Sequence, residues 1–379
     1  MDFLLTEEQK QLQVTMRDFV AKEIIPIADK MDEAQEFPMD CFKKLAKLGI
    51  TGMDFPKEYG GSGGNLATFV VALEELARGW ASIVSILDTH LCLATRPIYR
   101  FGTEEQKRKF VVPQAKGEKV ASFALTEPEA GSDISVIQTT ATKKDDAYIL
   151  NGTKTFIMNG NVCDTVIVFA TIDKSLGYRG ITAFIVEKGT PGFSVSKKFD
   201  KLGMRASTTA ELVFEDCRIP AQNLLGEEGR GLRVALSTLD EARIGMAAQA
   251  VGLAHAVLDA SIKRAKERVQ FGRPIAEQEA IQWMLADMSV RLDAARLLTY
   301  KAAYLCDQGQ PFTKESSTAK LFASEAAMLA ATQGIQIHGG YGYMMDSPMQ
   351  RYFRDAKLIE IYEGTSEVQR IVISRAILA

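Results

Sequence analysis

The feature that most constrains this chain is a hydrophobic period that changes twice along its length. Up to about residue 118, apolar side chains return every three or four positions. From Lys119 they fall into short runs divided by Gly and Pro, and after the GEEGRG segment at 226–231 the helical spacing returns and holds to the end. Helix faces repeat about every 3.6 residues and strand faces every second one, so one element type cannot serve both patterns. The order is α, then β, then α. It predicts an α+β multidomain protein with an N-terminal α-helical domain at 1–118, a middle β-sandwich or barrel domain at 119–228 and a C-terminal α-helical four-helix bundle at 229–379.

Local signals fill in these regions. Thr6 opens the first helix with Gln9 in capping-box spacing, Leu12, Met16, Phe19 and Val20 follow at helical intervals, and Pro26 breaks or restarts the pattern. Further helices are expected at 39–48, 66–78, 82–99 and 101–110, the last capped by Thr103. The glycine-rich loop at 57–67 lacks a following Gly-Lys-Ser/Thr and reads as a turn rather than a phosphate cradle. In the middle region strands are expected at 119–125, 165–171, 181–186, 193–195 and 211–214, with Asn151-Gly152 turning a hairpin between 148–150 and 153–157. A long helix from 232 to 268 follows. Ile281, Leu285, Met288, Leu292 and Ala295 mark a second, 318–333 an alanine-rich third, and 371–379 the last.

Composition narrows the function. With 45 basic against 48 acidic residues the surface gives no reason to expect nucleic acid or an anionic membrane as partner. The five cysteines are dispersed and there are three histidines, so neither a disulfide framework nor a metal site is expected. No basic, apolar leader opens the sequence and no apolar run is long enough to span a bilayer, which predicts a cytoplasmic protein.

The chemistry points to IYEGTSEVQR at 361–370. Glu363 follows an apolar approach and lies between Tyr362 and Gly364. A carboxylate in so poorly solvated a setting has its pKa pushed toward neutrality, where it can act as a general base. Gly364 lets the backbone come close to a planar ligand, and Thr365 offers a hydroxyl. The same residues also read as a loop glutamate before a helix capped by Thr365 or Ser366.

Four segments, FALTEPEAGSD at 123–133, RVQFGRPI at 268–275, QIHGGYGY at 336–343 and RDAKLIEIYEGTSEVQR at 354–370, together resemble the signatures of the acyl-CoA dehydrogenase family, in order and across essentially the whole chain. The resemblance implies FAD bound between the β domain and the C-terminal bundle, and a homotetramer whose subunits complete each other's cofactor site. It implies α,β-dehydrogenation of an acyl-CoA, with an electron-transferring flavoprotein as acceptor. Carried over position by position, Glu363 is the catalytic base, and Gly364 N–H lies near the thioester carbonyl. Phe123, Leu125, Thr126, Phe156, Ile157 and Met158 line the flavin, and Ser132 lies near the pyrophosphate and the CoA. Arg268, Phe271 and Gln336 reach the neighbouring subunit's FAD, Gln336, Gly339 and Gly340 form the adenosine-side loop, and Gln278 is a further cofactor contact. Thr365 and Glu367 contact FAD beside the base, and Asp240, Arg243 and Tyr362 contact substrate. Without the resemblance, Asp240 and Arg243 read as a surface ion pair on a helix.

Some relatives carry the base just before the arginine of an LDxxR stretch. Here Ala242 stands there, which leaves the role to Glu363. Two positions depart from the family pattern. Met158 replaces a threonine whose hydroxyl reaches the flavin, and Asp88 replaces a small or amide residue on a helix bordering the acyl pocket. Asp88 and His90 are candidate substrate contacts, poised as a pair or as a second acid–base group; Asp88 also reads as a solvated helix carboxylate. A short-chain, branched or alicyclic acyl-CoA is the expected substrate. The rival readings are an acyl-CoA oxidase using O2 and a non-catalytic flavoprotein scaffold of the same fold.

Overall fold

The computed structural model describes residues 5–379, and its elements follow the α, β, α order. The first helical region holds α1 (Glu7–Phe19), α2 (Ile25–Ala34), α3 (Met39–Lys47), α4 (Leu66–Gly79), α5 (Ala81–Asp88), α6 (Arg96–Phe101), α7 (Glu104–Gln106) and α8 (Val112–Ala115). Thr6 and Gln9 form the expected reciprocal cap on α1, with bonds of 3.2 and 3.1 Å. Pro26 does not end the helix: a π-helical turn over Val20–Ile24 joins α1 to α2 without a break, and the proline lies directly after that widening. The glycine loop before α4 is a structural turn: a Cβ at Gly61 would lie 2.1 Å from the Phe55 carbonyl oxygen, and Asp307 caps α4 at the Leu66 and Ala67 amides. Between α5 and α6 the chain widens into a π-helical turn over Thr89–Thr95, so one buried rod runs unbroken from Ala81. Such widenings recur at functional sites.

The middle region holds β1 (Ala121–Ala124), β2 (Thr140–Lys144), β3 (Ala147–Met158), β4 (Thr165–Thr171), β5 (Ile181–Glu187), β6 (Phe193–Lys198), β7 (Thr209–Pro220) and β8 (Leu224–Leu225). They form one sheet in the order β6-β7-β3-β2-β4-β5-β8, with β1 parallel to β4. The sheet curls on itself, because Leu212 and Phe214 of β7 share a core with Val168 of β4 and Phe184 of β5. The alternate residues Ile167, Phe169 and Ile185 join the helical core instead. The expected hairpin at Asn151-Gly152 is corrected. The chain turns earlier, at Asp145-Asp146, and runs straight through Asn151 and Gly152 as a bulge opposite β7. Asn151 exchanges hydrogen bonds with Asp216 across that bulge, at 2.8 and 3.1 Å, and a Cβ at Gly152 would sit 2.5 Å from Thr139 Oγ1. The Asn-Gly pair therefore serves close strand approach, not reversal.

The last region holds α9 (Gly231–Glu267), a short hairpin of β9 (Val269–Gln270) and β10 (Arg273–Pro274), then α10 (Glu279–Asp307), α11 (Thr313–His338), α12 (Pro348–Ile359) and α13 (Ser366–Leu378). Helix α9 packs against α10, α11 and also α4, which joins the two helical regions into one core. Buried Ala319, Ala323, Ala327 and Ala330 let α11 approach it closely. Helix α12 is additional to those expected, and the final helix begins at Ser366 rather than 371. No helix among the described residues is long and apolar enough to cross a membrane.

Candidate active site

The loop between α12 and α13 carries two successive residues with positive φ, Glu363 at 54° and Gly364 at 94°. For a residue with a side chain the left-handed region costs about 1–2 kcal/mol, so the surroundings must hold it. They do so through the carbonyls. Lys320 Nζ donates to the Gly364 oxygen at 2.7 Å, and Gln369 Nε2 donates to the Gly364 and Glu363 oxygens at 2.9 and 3.2 Å. Arg243 Nε reaches the Glu363 oxygen at 3.4 Å. Thr365 Oγ1 accepts from the Val368 amide at 3.3 Å and caps α13. The Glu363 and Gly364 carbonyls are thus tied down, whereas both carboxylate oxygens of Glu363 are buried without a partner.

Beside it lies Asp88, at the end of α5 where the π turn begins. It is fully buried, neither oxygen has a partner, and its carboxyl lies within hydrogen-bonding reach of that of Glu363. The reading of Asp88 as a solvated helix carboxylate is corrected: Gly245 of α9 faces it, and a Cβ there would lie 1.9 Å from Asp88 Oδ1. Burial pushes the Glu363 carboxyl well above the usual range and the neighbouring Asp88 charge adds to this, while Lys320 and Arg243 oppose it. Burial likewise pushes Asp88 up to about 7, against the opposing pull of Cys92, Arg96 and a hydrogen bond from the Glu363 carboxyl. Arg96 gives little relief, because it is already bound to Asp54 and, at 3.1 Å, to Glu241.

Around this pair the structure gathers Tyr362, Gly364, Asp240 and Arg243. Tyr362 donates its hydroxyl to Gln249 Oε1, and Gln249 Nε2 donates to Ser85 Oγ at 2.8 Å, which fixes the ring on α5 and α9. Arg243 bonds Asp240 at 2.8 Å and Ser317 at 3.3 Å, and with 5% of its side chain exposed it is no surface pair. His90 does not join the group. Its Nε2 lies 3.0 Å from the Gln114 carbonyl oxygen and its Nδ1 accepts from the Ala121 amide at 3.1 Å, so no ring nitrogen remains for Asp88 or for substrate. Burial pulls its pKa down to about 4, and the neutral ring is a structural tie.

Lys320, Gln249 and Gln369 went unremarked in the sequence. Their signal was present: Lys320 shares a helix face with buried Ser316, Ala323 and Ala327, and a charge on such a stripe needs a partner.

A second group sits where β1 and β3 lie side by side. Phe123 and Leu125 are buried, Thr126 accepts from the Thr155 amide at 2.9 Å, and Ile157 is buried while Met158 is partly so. Phe156 has φ of 58° and is 64% exposed at a register shift against β7. Ser132 is exposed on the loop that follows β1. A third group lies beyond the far end of α9. Arg268, Gly339 and Gly340 line a groove of about 570 Å³ with Arg264 and Tyr341. Phe271, at the tip of the β9–β10 hairpin, is 92% exposed, Gln336 is exposed and Gln278 directly precedes α10 without a side-chain bond to its first turn. From Arg243 to Arg268 is roughly 37 Å of helix, so the third group stands far from Glu363 of its own chain. Thr365 and the exposed Glu367 remain beside the base.

Sequence profiles of the acyl-CoA dehydrogenase N-terminal, middle and C-terminal domains match residues 6–118, 122–217 and 229–378. The chain is 49% identical to the acryloyl-CoA reductase (NADH) of Anaerotignum propionicum, over 100% of this chain and 96% of that one. Butyryl-CoA dehydrogenase from Megasphaera elsdenii superposes with a TM-score of 0.98 at 48% identity, covering 100% of both chains. A chain solved in work on the electron transferring flavoprotein of Acidaminococcus fermentans superposes with a TM-score of 0.98 at 49% identity, again over 100% of both.

Proposed function

The chain belongs to the acyl-CoA dehydrogenase family of FAD-dependent oxidoreductases, and from that premise we propose that Glu363 is the base that takes the α proton of a short-chain acyl-CoA on its way to the 2-enoyl-CoA. The observation that carries this reading is the state of Glu363: a buried carboxyl, both oxygens unpartnered, on a loop whose Glu363 and Gly364 carbonyls are held from behind. A thioester acidifies its α C–H only modestly, so a carboxylate of raised basicity in a site closed to water is what the proton transfer needs. Ala242 offers no rival base on α9. Gly364 N–H is assigned to the thioester carbonyl, where a donor stabilises the negative charge that develops as the proton leaves. Tyr362, locked through Gln249, forms a wall of the acyl pocket, and Asp240 and Arg243 border it.

The residues suit the family's flavin. A Cβ at Gly131, Gly339 or Gly340 would meet nothing within 4 Å, which leaves room for a dinucleotide against the backbone. Phe156, Phe271 and Tyr341 expose rings that a large aromatic ligand would cover. Phe123, Leu125, Thr126, Ile157 and Met158 would hold the ring system, with Ser132 near the pyrophosphate, and bound FAD supplies the acceptor for the β hydride. Arg268, Phe271, Gln278, Gln336, Gly339 and Gly340 lie too far along the helices to serve their own chain's Glu363 site, which supports cofactor sites shared between subunits of a homotetramer. Trp283, Val290, Leu297 and Tyr304 also support assembly: they recur at heptad spacing on α10 and all are exposed.

A short, branched or alicyclic acyl group suits a pocket bordered by Asp88, since a long alkyl tail against a buried carboxyl is unfavourable. The names of relatives support the short-chain range, for instance the short-chain specific acyl-CoA dehydrogenase of Clostridium acetobutylicum at 48% identity. The Acidaminococcus chain supports an electron-transferring flavoprotein as acceptor. Anaerobic flavin bleaching tests the proposal. Butyryl- and cyclohexanecarboxyl-CoA should bleach the wild-type protein faster than octanoyl-CoA. Glu363→Gln should keep its flavin and lose at least about a hundredfold in rate. A variant retaining more than about a tenth of the wild-type rate, a loss of only ~1.4 kcal/mol, would overturn Glu363 as the base.

A further inference from the structure

Two carboxyl groups meet in the interior with no donor between them. All four oxygens of Asp88 and Glu363 are buried and unpartnered, yet the groups lie within reach of one another. Two ionised carboxylates at such a separation repel strongly in a medium of low dielectric, and one proton between them removes the conflict.

The neighbours supply no alternative donor. The π turn after α5 contributes Cys92, a weak one. Arg96 of α6 is bound to Asp54 and Glu241. Arg243 of α9 bonds Asp240 and Ser317, and Lys320 of α11 is given to the Gly364 carbonyl. Tyr362 donates to Gln249. Each cation is near enough to be felt and is engaged elsewhere, so a proton is the donor left to the pair.

We propose, resting on Glu363 as the base, that Asp88 and Glu363 form a one-proton dyad whose proton passes to Asp88 when substrate is bound, so that Asp88 donates to Glu363 and aims the ionised oxygen of Glu363 at the substrate. Geometry gives each group its role. Asp88 is sealed between α5, the π turn and Gly245 of α9, whereas Glu363 stands on the half-buried loop with Lys320 and Arg243 favouring its charge. In the chemical step the substrate's α C–H bond breaks and an O–H bond forms on Glu363. The electron pair stays on the substrate, delocalised into the thioester carbonyl, and the O–H of Asp88 is unchanged. The dyad passes from one proton to two and sheds one to reset. Asp88 is a positioning residue, since it acts through Glu363.

Asp88→Asn tests this in the flavin-loaded enzyme, because the amide keeps the shape and the donor but carries no charge. The rate of flavin reduction by saturating butyryl-CoA should follow a bell with pH in the wild type. Its acid limb reports the ionisation that leaves the dyad with one proton, and its alkaline limb the loss of that proton from Asp88. In Asp88→Asn the alkaline limb should vanish. The acid limb should stay within about half a pH unit of its wild-type position, since the amide, like the protonated carboxyl it replaces, is a neutral donor to Glu363. Thermal unfolding gives a readout without turnover. A carboxyl raised on folding adds stability that is present below its unfolded value near 4 and lost as pH rises through about 7, the folded value of Asp88. The wild-type midpoint should therefore fall across that window more steeply than that of Asp88→Asn. Superimposed rate profiles and equal slopes would reduce Asp88 to a space-filling group and overturn the dyad. Glu363→Gln separates the two failures. If it stays fast, the base assignment fails; if it is slow while Asp88→Asn behaves as wild type, the dyad alone fails.

Discussion

Glu127 and Glu363 are both carboxylates held in the interior of this chain, and their surroundings are opposite. Glu127 accepts from Lys154 Nζ at 2.7 Å and from the Thr139 amide at 3.0 Å, with the Gln138 amide on its other oxygen. Lys154, itself fully buried, also donates to the Leu125 carbonyl at 3.0 Å. Burial works against the charge of Glu127, but Lys154 and these donors outweigh it and hold the carboxyl below its usual value. Burial lowers Lys154 to about 8, which still leaves it charged at neutral pH. This pair closes the loop after β1 onto β3 and so fixes the strand ends assigned to the flavin. Glu363 stands on a half-buried loop, yet its carboxyl oxygens are buried too and have none of the donors; its neighbours hold its backbone and leave its oxygens to Asp88. A folded chain satisfies the buried charges that build its scaffold and leaves unsatisfied those that must exchange a proton.

The comparison can be broken first at the satisfied end. Lys154→Met strands the Glu127 carboxylate in the interior, which costs about 3–5 kcal/mol, and it also releases the Leu125 carbonyl. We expect the largest fall in thermal midpoint of any variant considered, accompanied by loss of flavin. A midpoint unchanged from wild type would show that the latch is not holding the middle region.

A smaller effect is expected at Gly245, where the carboxyl pair meets α9. Gly245→Ala puts a methyl group into the space of Asp88 Oδ1, and forced overpacking of this kind costs about 1–3 kcal/mol. Because Asp88 must move, the rate of flavin reduction should fall along with stability. A variant that loses stability at full rate would uncouple Asp88 from Glu363.

Arg268→Ala should have the smallest effect on the fold, since the side chain is only partly buried at the end of α9. It should weaken flavin retention, and added FAD should restore part of the thermal midpoint by mass action. Light scattering that found a stable, flavin-loaded monomer would remove the shared site altogether.

The sequence made the architecture legible and the pair illegible, for physical reasons. Helices announce themselves through period and caps, as at Thr6–Gln9, and buried strands through unbroken apolar runs, as at Thr165–Thr171. Strand β2 is largely exposed and lysine-bearing, so no apolar run marks it. Asn151-Gly152 has the composition of a turn and the function of a bulge, a distinction made by Asp216 and Thr139 across the sheet. Glu363 was legible because its glycine, its tyrosine and the helix cap at Thr365 are its immediate neighbours. The confinement of Asp88 was not, because it depends on Gly245 and on Glu363, which only the packing of α9 and the α12–α13 loop brings to α5. His90 misled for the same reason: adjacency on a helix suggested a partner for Asp88, while its ring turned to the Gln114 carbonyl and the Ala121 amide.

The most direct test sets the two glutamates side by side. Glu363→Gln and Glu127→Gln remove one carboxyl charge each from the interior, and thermal midpoints at pH 7 read what each charge does for the fold. Glu127→Gln should melt well below the wild type, because Lys154 loses its counter-charge, while Glu363→Gln should melt at or above it, because a buried carboxyl whose oxygens no cation binds gives way to a neutral amide. A Glu363→Gln protein as destabilised as Glu127→Gln would mean that Glu363 is another scaffold charge, and the distinction between the two regions would fall.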